Sequence, residues 1–477
     1  MQNLKAVSRT GDDLTIEGSA IESLAGALKG ELLTEDSPGY EQARLVWNGM
    51  IDRRPALIAR CRGTADVVDA INFAREHDLL VAVRGGGHNV AGFGACDGGI
   101  VVDLAPMNRV GVDPQARRAR VAGGARLGDL DRETQLFGLA APAGVVSDTG
   151  VAGLTLGGGA GHLAHKYGLT CDALRSAQVV TAGGEVVRAS EDENADLFWG
   201  LRGGGGNFGI VTEFEFELYP VGPEVAVTLV FYPRTDAMKV LRFFRDWFTE
   251  APDEISGIAF TATIPESADY PDELHGEECV AMLATHCGDP EAGKRQMQPL
   301  REIAKPLVDM SATMPYVDLQ RLLDEDYPSH ELRYYWKSTF VRSFDDEVIG
   351  TILEKAQSCP SPLSTIDMWA SGGAISRVGD DETAFGGRNA PFLVNTESNW
   401  ADSEDDERNI EWTREVWASM QPYSTGAMYF NFPGGLEEGQ EIIRSTFGSK
   451  YKRLAKLKAK YDPSNIFHLN QNIKPQD

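Results

Sequence analysis

The chain has 477 residues, 42% hydrophobic and 24% charged, which is ordinary for a soluble globular protein and long enough for two or three domains. Its formal net charge of −26 excludes the basic face that a nucleic-acid binder or a protein of anionic membrane surfaces needs. No stretch approaches the roughly 18 apolar residues of a membrane span. The opening MQNLKAVSRTGDDL lacks a secretory pattern, so a cytoplasmic protein is expected. Most basic residues are arginine, and the acidic excess fits either a protein kept soluble in high salt or an acidic protein of ordinary surroundings. The six cysteines form no CxxC pair. His162 and His165 have no third ligand near them in sequence, so no disulfide framework and no metal site is expected.

Residues 57–220 alternate strand and helix signals. LIARC predicts a strand, and TADVVDAINFAREHD predicts a helix with Thr64 as its N-cap. LLVAV is the next strand and empties into Arg84, three glycines and His88. GGIVVDL and ARVAGG read as a strand pair around residues 108–114. LGDLDRETQLFG reads as a helix ending on a glycine, and GVAGLTLGGGAGHLAHKYGL as loop plus a short helix. AQVVTAGGEVVRAS predicts two strands around a glycine turn. ADLFWGLRG predicts a helix, and the strictly alternating IVTEFEFELYP a strand. After Pro220 the glycine clusters thin out. Long helical stretches, TDAMKVLRFFRDWFTEA and ERNIEWTREVWASM, and strands such as VAVTLVFY and ECVAMLATH predict a separate α+β domain. From 429 the chain gives YFNF, an acidic linker, a charged helix and a last strand-like piece, DPSNIFHLNQNI.

Three glycine tracts, 85–87, 157–161 and 203–206, fall within this alternating region. Glycine lets backbone N–H groups approach a ligand, and successive N–H groups form nests for a pyrophosphate. The GxGxxG match at 204–209 follows a predicted helix and precedes a strand, the reverse of the Rossmann order. There is no GxxxxGK[ST]. The tracts therefore predict a dinucleotide held by loops. His88, at the end of the first tract, then reads either as a structural histidine or as a nucleophile toward an activated flavin methyl group.

VAVRGGGHNVAGF, GGIVVDL, GLAAPAGVVSDTGVAGLTLGGGAGHLAHKYGLTCD, DLFWGLRGGGGNFGIVTEFEFELYP and YDPSNIFHLNQNI together resemble the berberine-bridge-enzyme-like flavoproteins of the vanillyl-alcohol-oxidase superfamily. The bacterial branch, with its oxidases of 6-hydroxynicotine type, is the most similar. The resemblance implies an α+β chain: a PCMH-type FAD-binding domain of two α/β subdomains over 1–220, a substrate domain with a helix-covered antiparallel sheet over 221–425, and a segment over 426–477 returning to the FAD domain. It implies FAD attached covalently to His88, among Arg84, Gly85, Gly86, Gly87 and Asn89. Further cofactor contacts are implied at Gly144, Asp148, Thr149, Gly150 and Gly153, at Gly158, Gly161 and His162, at Val211, and at Asn470 and Asn472 on the last strand.

Some relatives carry a second link through the cysteine of a GxCPTxG stretch. Here that stretch is 144–150 and the cysteine position is Val146, so a single link is expected. Thr149 occupies the oxygen-gating position and favours an oxidase. Tyr429 is the implied catalytic base, with Lys337 or Arg377 lowering its pKa, and Tyr335 and Trp336 are candidate pocket residues. The implied reaction takes a hydride from a small or medium alcohol, sugar-like or a secondary metabolite, or from an amine, and passes electrons to O₂ to give H₂O₂. A dehydrogenase using another acceptor and a non-catalytic flavin protein are the alternatives. No nucleic acid, membrane or metal partner is expected, and the oligomeric state is open.

Overall fold

The structure, a computed structural model, describes residues 2–435 and 437–476. Strands Glu31–Leu33, Leu57–Arg60, Ile100–Asp103 and Val81–Arg84 form a four-stranded sheet in that order, and the last three run parallel. Parallel strands buried on both faces carry continuous apolar runs, which LIA, VAV and IVV supply. Helices Gly18–Ala27 and Thr64–Glu76 pack on this sheet. Thr64 is not the N-cap. Gly63 holds that position, and the Thr64 hydroxyl donates to Gln178 of the neighbouring sheet instead.

That neighbour is a five-stranded antiparallel sheet ordered Val186–Ser190, Leu174–Val180, Ile210–Glu217, Arg118–Ala122, Val110–Asp113. The expected pairing of GGIVVDL with ARVAGG does not occur. Ile100–Asp103, buried at every position, enters the parallel sheet, and Arg118–Ala122 pairs with Val110–Asp113, a stretch read as part of the turn.

The C-terminal helices Gln440–Phe447 and Tyr451–Tyr461 pack into the core of this five-stranded sheet. The expected last strand is absent among the described residues. The tail is held by side chains instead. The buried ammonium of Lys458 meets Asp462 at 2.6 Å and donates to the carbonyls of Asn207 and Phe467 at 2.8 Å each. Asp462 accepts from the amides of Ile466 and Phe467, and Asn207 from that of Ile473. Residues with so many buried polar partners need no ladder to satisfy their backbone.

The third sheet is antiparallel with eight strands. Seven follow the order Val308–Asp309, Glu224–Pro233, Glu278–His286, Ile255–Thr263, Thr365–Ala370, Phe392–Trp400, Arg333–Val341, and Ala312–Pro315 also pairs with Glu224–Pro233. Helices Ala237–Thr249, Asp346–Ala356 and Asp406–Met420 cover one face. The other face turns toward the glycine loops. Side chains alternate between these faces along each strand, so parity decides which residues reach the space between sheet and loops. Among the described residues, no helix is long and apolar enough to cross a membrane.

Candidate active site

A cavity of about 710 Å³ lies between the glycine loops and the eight-stranded sheet. Its glycines are of two kinds. A Cβ on Gly86 would sit 2.5 Å from the backbone N and Cα of Gly150, so these glycines let two loops touch. A Cβ on Gly153 or Gly206 would meet no atom within 4 Å, and both line the cavity. Their bare backbones face the space that a ligand would fill.

His88 lines the same cavity, its ring stacked on Trp47 at 4.1 Å. Its Nε2 is buried without a hydrogen-bond partner. Burial pushes the imidazole down to about 3, so the ring is neutral at physiological pH. Arg84 borders the cavity, but its guanidinium is committed to Asp103 at 2.7 Å and to the carbonyl of Leu45. It holds the strand end in place and presents no free charge to a ligand.

Tyr429 stands across from this loop, its ring 2% exposed. Three donors converge on its phenolic oxygen: the backbone N–H groups of Gly159 and Ala160 at 3.1 Å each, and Asn431 Nδ2 at 2.8 Å. The same Asn431 nitrogen donates to the carbonyl of Leu154, which orients the amide. Burial pushes the phenol up to about 12, and the three donors act against burial. They do so because hydrogen bonds to a charged oxygen favour its ionised form. The glycine tract at 157–161 therefore serves Tyr429: Gly158 and Gly159 take left-handed φ values of +117° and +85°, in the conformation that aims two successive N–H groups at one oxygen.

The sheet face contributes Phe231, Phe260, Trp336, Asp367, Trp369 and Glu397. Asp367 and Glu397, nearly fully buried, are hydrogen-bond partners of each other. Burial pushes both carboxyls up, so the pair holds a proton that exposed carboxyls would have released. Tyr327 donates to Glu397 at 2.7 Å, as does Asn395 at 2.6 Å.

Residues 55–190 match the FAD binding domain family, and residues 428–474 match the family described as berberine and berberine like. An FAD-linked oxidoreductase of Dictyostelium discoideum is 33% identical over 95% of this chain and 97% of its own length. The (R)-6-hydroxynicotine oxidase of Paenarthrobacter nicotinovorans is 31% identical over 94% and 98%. The chain belongs to the berberine-bridge-like FAD-linked oxidoreductases. Among solved structures, 6-hydroxy-D-nicotine oxidase from Arthrobacter nicotinovorans superposes with a TM-score of 0.83 at 30% identity, covering 94% of this chain and 98% of that one. Glucooligosaccharide oxidase from Acremonium strictum, described with a 6-S-cysteinyl, 8α-N1-histidyl FAD, superposes with a TM-score of 0.84 at 27% identity, covering 96% and 100%. Like these relatives, this berberine-bridge-like protein is an FAD oxidoreductase of small-molecule substrates with a PCMH-type α+β fold. Its cradle fits the cofactor: open glycine backbones line the cavity, and an unpartnered imidazole nitrogen stands at its side.

Of the residues singled out in the sequence, Arg84, Gly85, Gly86, Gly87, His88, Asn89, Gly144, Thr149, Gly150, Gly153, Val211, Trp336, Tyr429 and Asn470 line this cavity. The others lie elsewhere. Asp148 pairs with Arg126 and accepts from the Ser329 hydroxyl at 2.7 Å. Gly158 packs against the Phe385 ring. Gly161 and His162 line a smaller neighbouring chamber behind Tyr429, where His162 Nδ1 meets the Thr285 hydroxyl. Asn472 is displaced by Gln471, because the irregular tail does not follow the alternation that paired Asn470 with Asn472. Tyr335 and Lys337 point to the helix side of their strand. Tyr335 bonds Glu437, and Lys337 pairs with Glu437 and Glu438 and lies over the Trp417 ring. Arg377 is on the surface, paired with Asp253 at 2.7 Å. Neither expected cation reaches Tyr429; backbone amides occupy that role.

Sequence reasoning missed Trp47, Asp367 and Glu397. The available signal was NTESN inside an apolar strand. Five consecutive polar residues, all buried on a strand paired on both sides, mark a place where the strand meets something other than a packed core.

Proposed function

We propose that this FAD oxidoreductase is an oxidase of a small or medium alcohol or amine, with O₂ as electron acceptor and H₂O₂ as product. The flavin is joined through His88 alone. Residues 1–220 and 426–477 hold the cofactor, and 221–425 shape the substrate side. Bound FAD supplies the hydride acceptor. The single observation that carries this reading is the convergence of three N–H donors on Tyr429 Oη in the cavity that His88 lines.

Tyr429 Oη takes the proton from the substrate O–H or N–H as the adjacent C–H gives up its hydride. The Gly159, Ala160 and Asn431 donors hold the oxygen in place and stabilise it as phenolate. Burial works against that charge and outweighs the donors in the protein alone, so the three donors lessen the cost of the phenolate that proton transfer from the substrate requires. Trp336 and Trp369 present flat apolar surface to the substrate and keep water out. His88, a neutral imidazole on the cavity wall, would hold the flavin through a ring nitrogen; the C–N bond would replace a methyl C–H, with the hydrogen lost as a proton and the electron pair passing to the flavin ring and on to O₂. Val146 lines the cavity at the position where a cysteinyl link would need a thiol, and no cysteine lines it among the described residues. Thr149, also on the wall, leaves a β-branched side chain of valine's shape where oxygen must approach.

Acid-precipitated protein should stay yellow, and His88→Ala should release the flavin to the supernatant. Loss of colour from the wild type would refute the link. Reduced enzyme mixed with air should reoxidise within the turnover time and form peroxide. Enzyme that stays reduced for minutes identifies a dehydrogenase.

A further inference from the structure

Five carboxylic acids line the cavity: Asp269, Glu325, Asp326, Asp367 and Glu397. None of them makes an ion pair with a basic side chain among the described residues. Among the described residues, the only basic side chains on the wall are Arg84, neutralised by Asp103, and His88, neutral by burial. The acids are graded in depth. Asp269, Glu325 and Asp326 are exposed at the rim, and the Asp367–Glu397 pair is buried inside.

The pair is not closed by its own neighbours. Asn395, wholly buried beside it on the same face of the sheet, gives its amide N–H to Glu397 and keeps its carbonyl oxygen without a partner. That oxygen lies behind the cavity wall, so the two carboxyls are the groups that a ligand in the cavity can reach. A continuous aromatic wall runs past this corner. Tyr327, bonded to Glu397, meets Trp336 edge-on at 5.6 Å; Trp336 meets Phe432 at 5.5 Å, and Phe432 meets Tyr429 at 4.9 Å.

We infer that the site is built for an organic cation, a protonated amine carried on a flat apolar body, with the cationic nitrogen held at Asp367 and Glu397. Aromatic faces attract cations through their quadrupole. The rim acids raise the local concentration of cations and repel carboxylate and phosphate compounds. A polyol could also bond carboxyls, but it would leave the excess negative charge of the wall unbalanced. This inference rests on the reading of the cavity as the substrate site, and it narrows the alcohol-or-amine alternative to the amine.

The test is binding to the flavin-loaded protein, followed by quenching of tryptophan fluorescence, since Trp336 and Trp369 line the cavity. The probes are benzyltrimethylammonium, its uncharged carbon isostere neopentylbenzene, and cellobiose. The cation should bind at least about tenfold tighter than either uncharged probe. Asp367→Asn with Glu397→Gln should remove that preference. Asp326→Asn, an exposed change that leaves the core untouched, should weaken cation binding by about two- to threefold and leave neopentylbenzene unaffected. Equal affinity for cation and isostere, tighter binding of cellobiose, or an unchanged preference in the Asp326 and Asp367/Glu397 variants would overturn the inference. Because binding is read without turnover, an enzyme that binds the cation but oxidises no amine refutes the oxidase reading alone. An enzyme that oxidises alcohols with no preference for cations refutes this inference alone.

Discussion

The glycine-loop cradle and the substrate sheet meet across one cavity but encode their contacts differently. In the cradle the backbone is the working surface. Residue identity at each position matters, and the motifs are short and contiguous, as in the run from Arg84 to Asn89. In the sheet the side chains work, and only every second residue faces the cavity. Trp336 lines it, while its neighbours Tyr335 and Lys337 serve the helix layer. The lesson is that contiguity in sequence predicts common function where backbone makes the contact, and misleads where side chains on a strand do.

Tyr429 joins the two regions, because a residue of the C-terminal segment is gripped by backbone of the cradle. Tyr429→Phe should lower kcat by roughly 10²–10⁴ with little change in KM and an unchanged circular dichroism spectrum. A variant that keeps more than a tenth of wild-type kcat would move the base elsewhere. Next in size is the anchor of the C-terminal return. Lys458→Met leaves Asp462 buried and unpaired, which should cost roughly 3–5 kcal/mol, read as a lowered denaturation midpoint. The same substitution made with Asp462→Asn should recover part of the loss.

The two kinds of glycine separate backbone packing from ligand space. Gly86→Ala drives a Cβ into Gly150 and should destabilise the chain by about 1–3 kcal/mol with or without flavin. Gly153 lies in helix Val151–Leu156 with nothing near its absent Cβ. Gly153→Ala should therefore stabilise the flavin-free chain by up to about 1 kcal/mol, yet lower flavin incorporation measured by absorbance. Unchanged flavin content would remove Gly153 from the cofactor's footprint. On the sheet, Trp336→Ala should raise KM by roughly tenfold, whereas Tyr335→Ala should leave KM alone and lower stability.

The last effect concerns the seam between the regions and is read through its pH dependence. Asp131, on helix Leu127–Gln135, accepts from Gln320 at 2.9 Å next to helix Tyr316–Leu319, and its Oδ1 has no partner. Burial pushes this carboxyl up to about 7. In the unfolded chain it ionises near ~3.9. Between those values the folded protein keeps a proton that the unfolded chain has released, so stability falls as pH rises. Asp131→Asn should match the wild-type melting temperature near pH ~4 and exceed it by pH ~8. A constant difference across that range would contradict the buried charge.

Much of the flavin side was legible from residues alone. The three glycine tracts, the reversed GxGxxG context and the position of His88 depend on local spacing, and local spacing survives folding unchanged. The elements of residues 57–220 also emerged from periodicity, except where pairing was non-local. Nothing in GGIVVDL says which sheet it joins, because IVVD suits any fully buried strand. The tail DPSNIFHLNQNI alternates like a strand but is held by Lys458, Asp462 and Asn207, partners that sequence order keeps far apart. The donors on Tyr429 could not be read either: Gly159 lies 270 residues away, and an amide has no sequence signature. The acid pair is the same case, since Asp367 and Glu397 meet only when two strands align in register. Composition and short motifs thus announced a dinucleotide held by loops, and the family resemblance named it as FAD with His88 as the expected anchor. Which side chains face the cavity, and what holds Tyr429, depended on strand parity and long-range packing, which no local pattern contains.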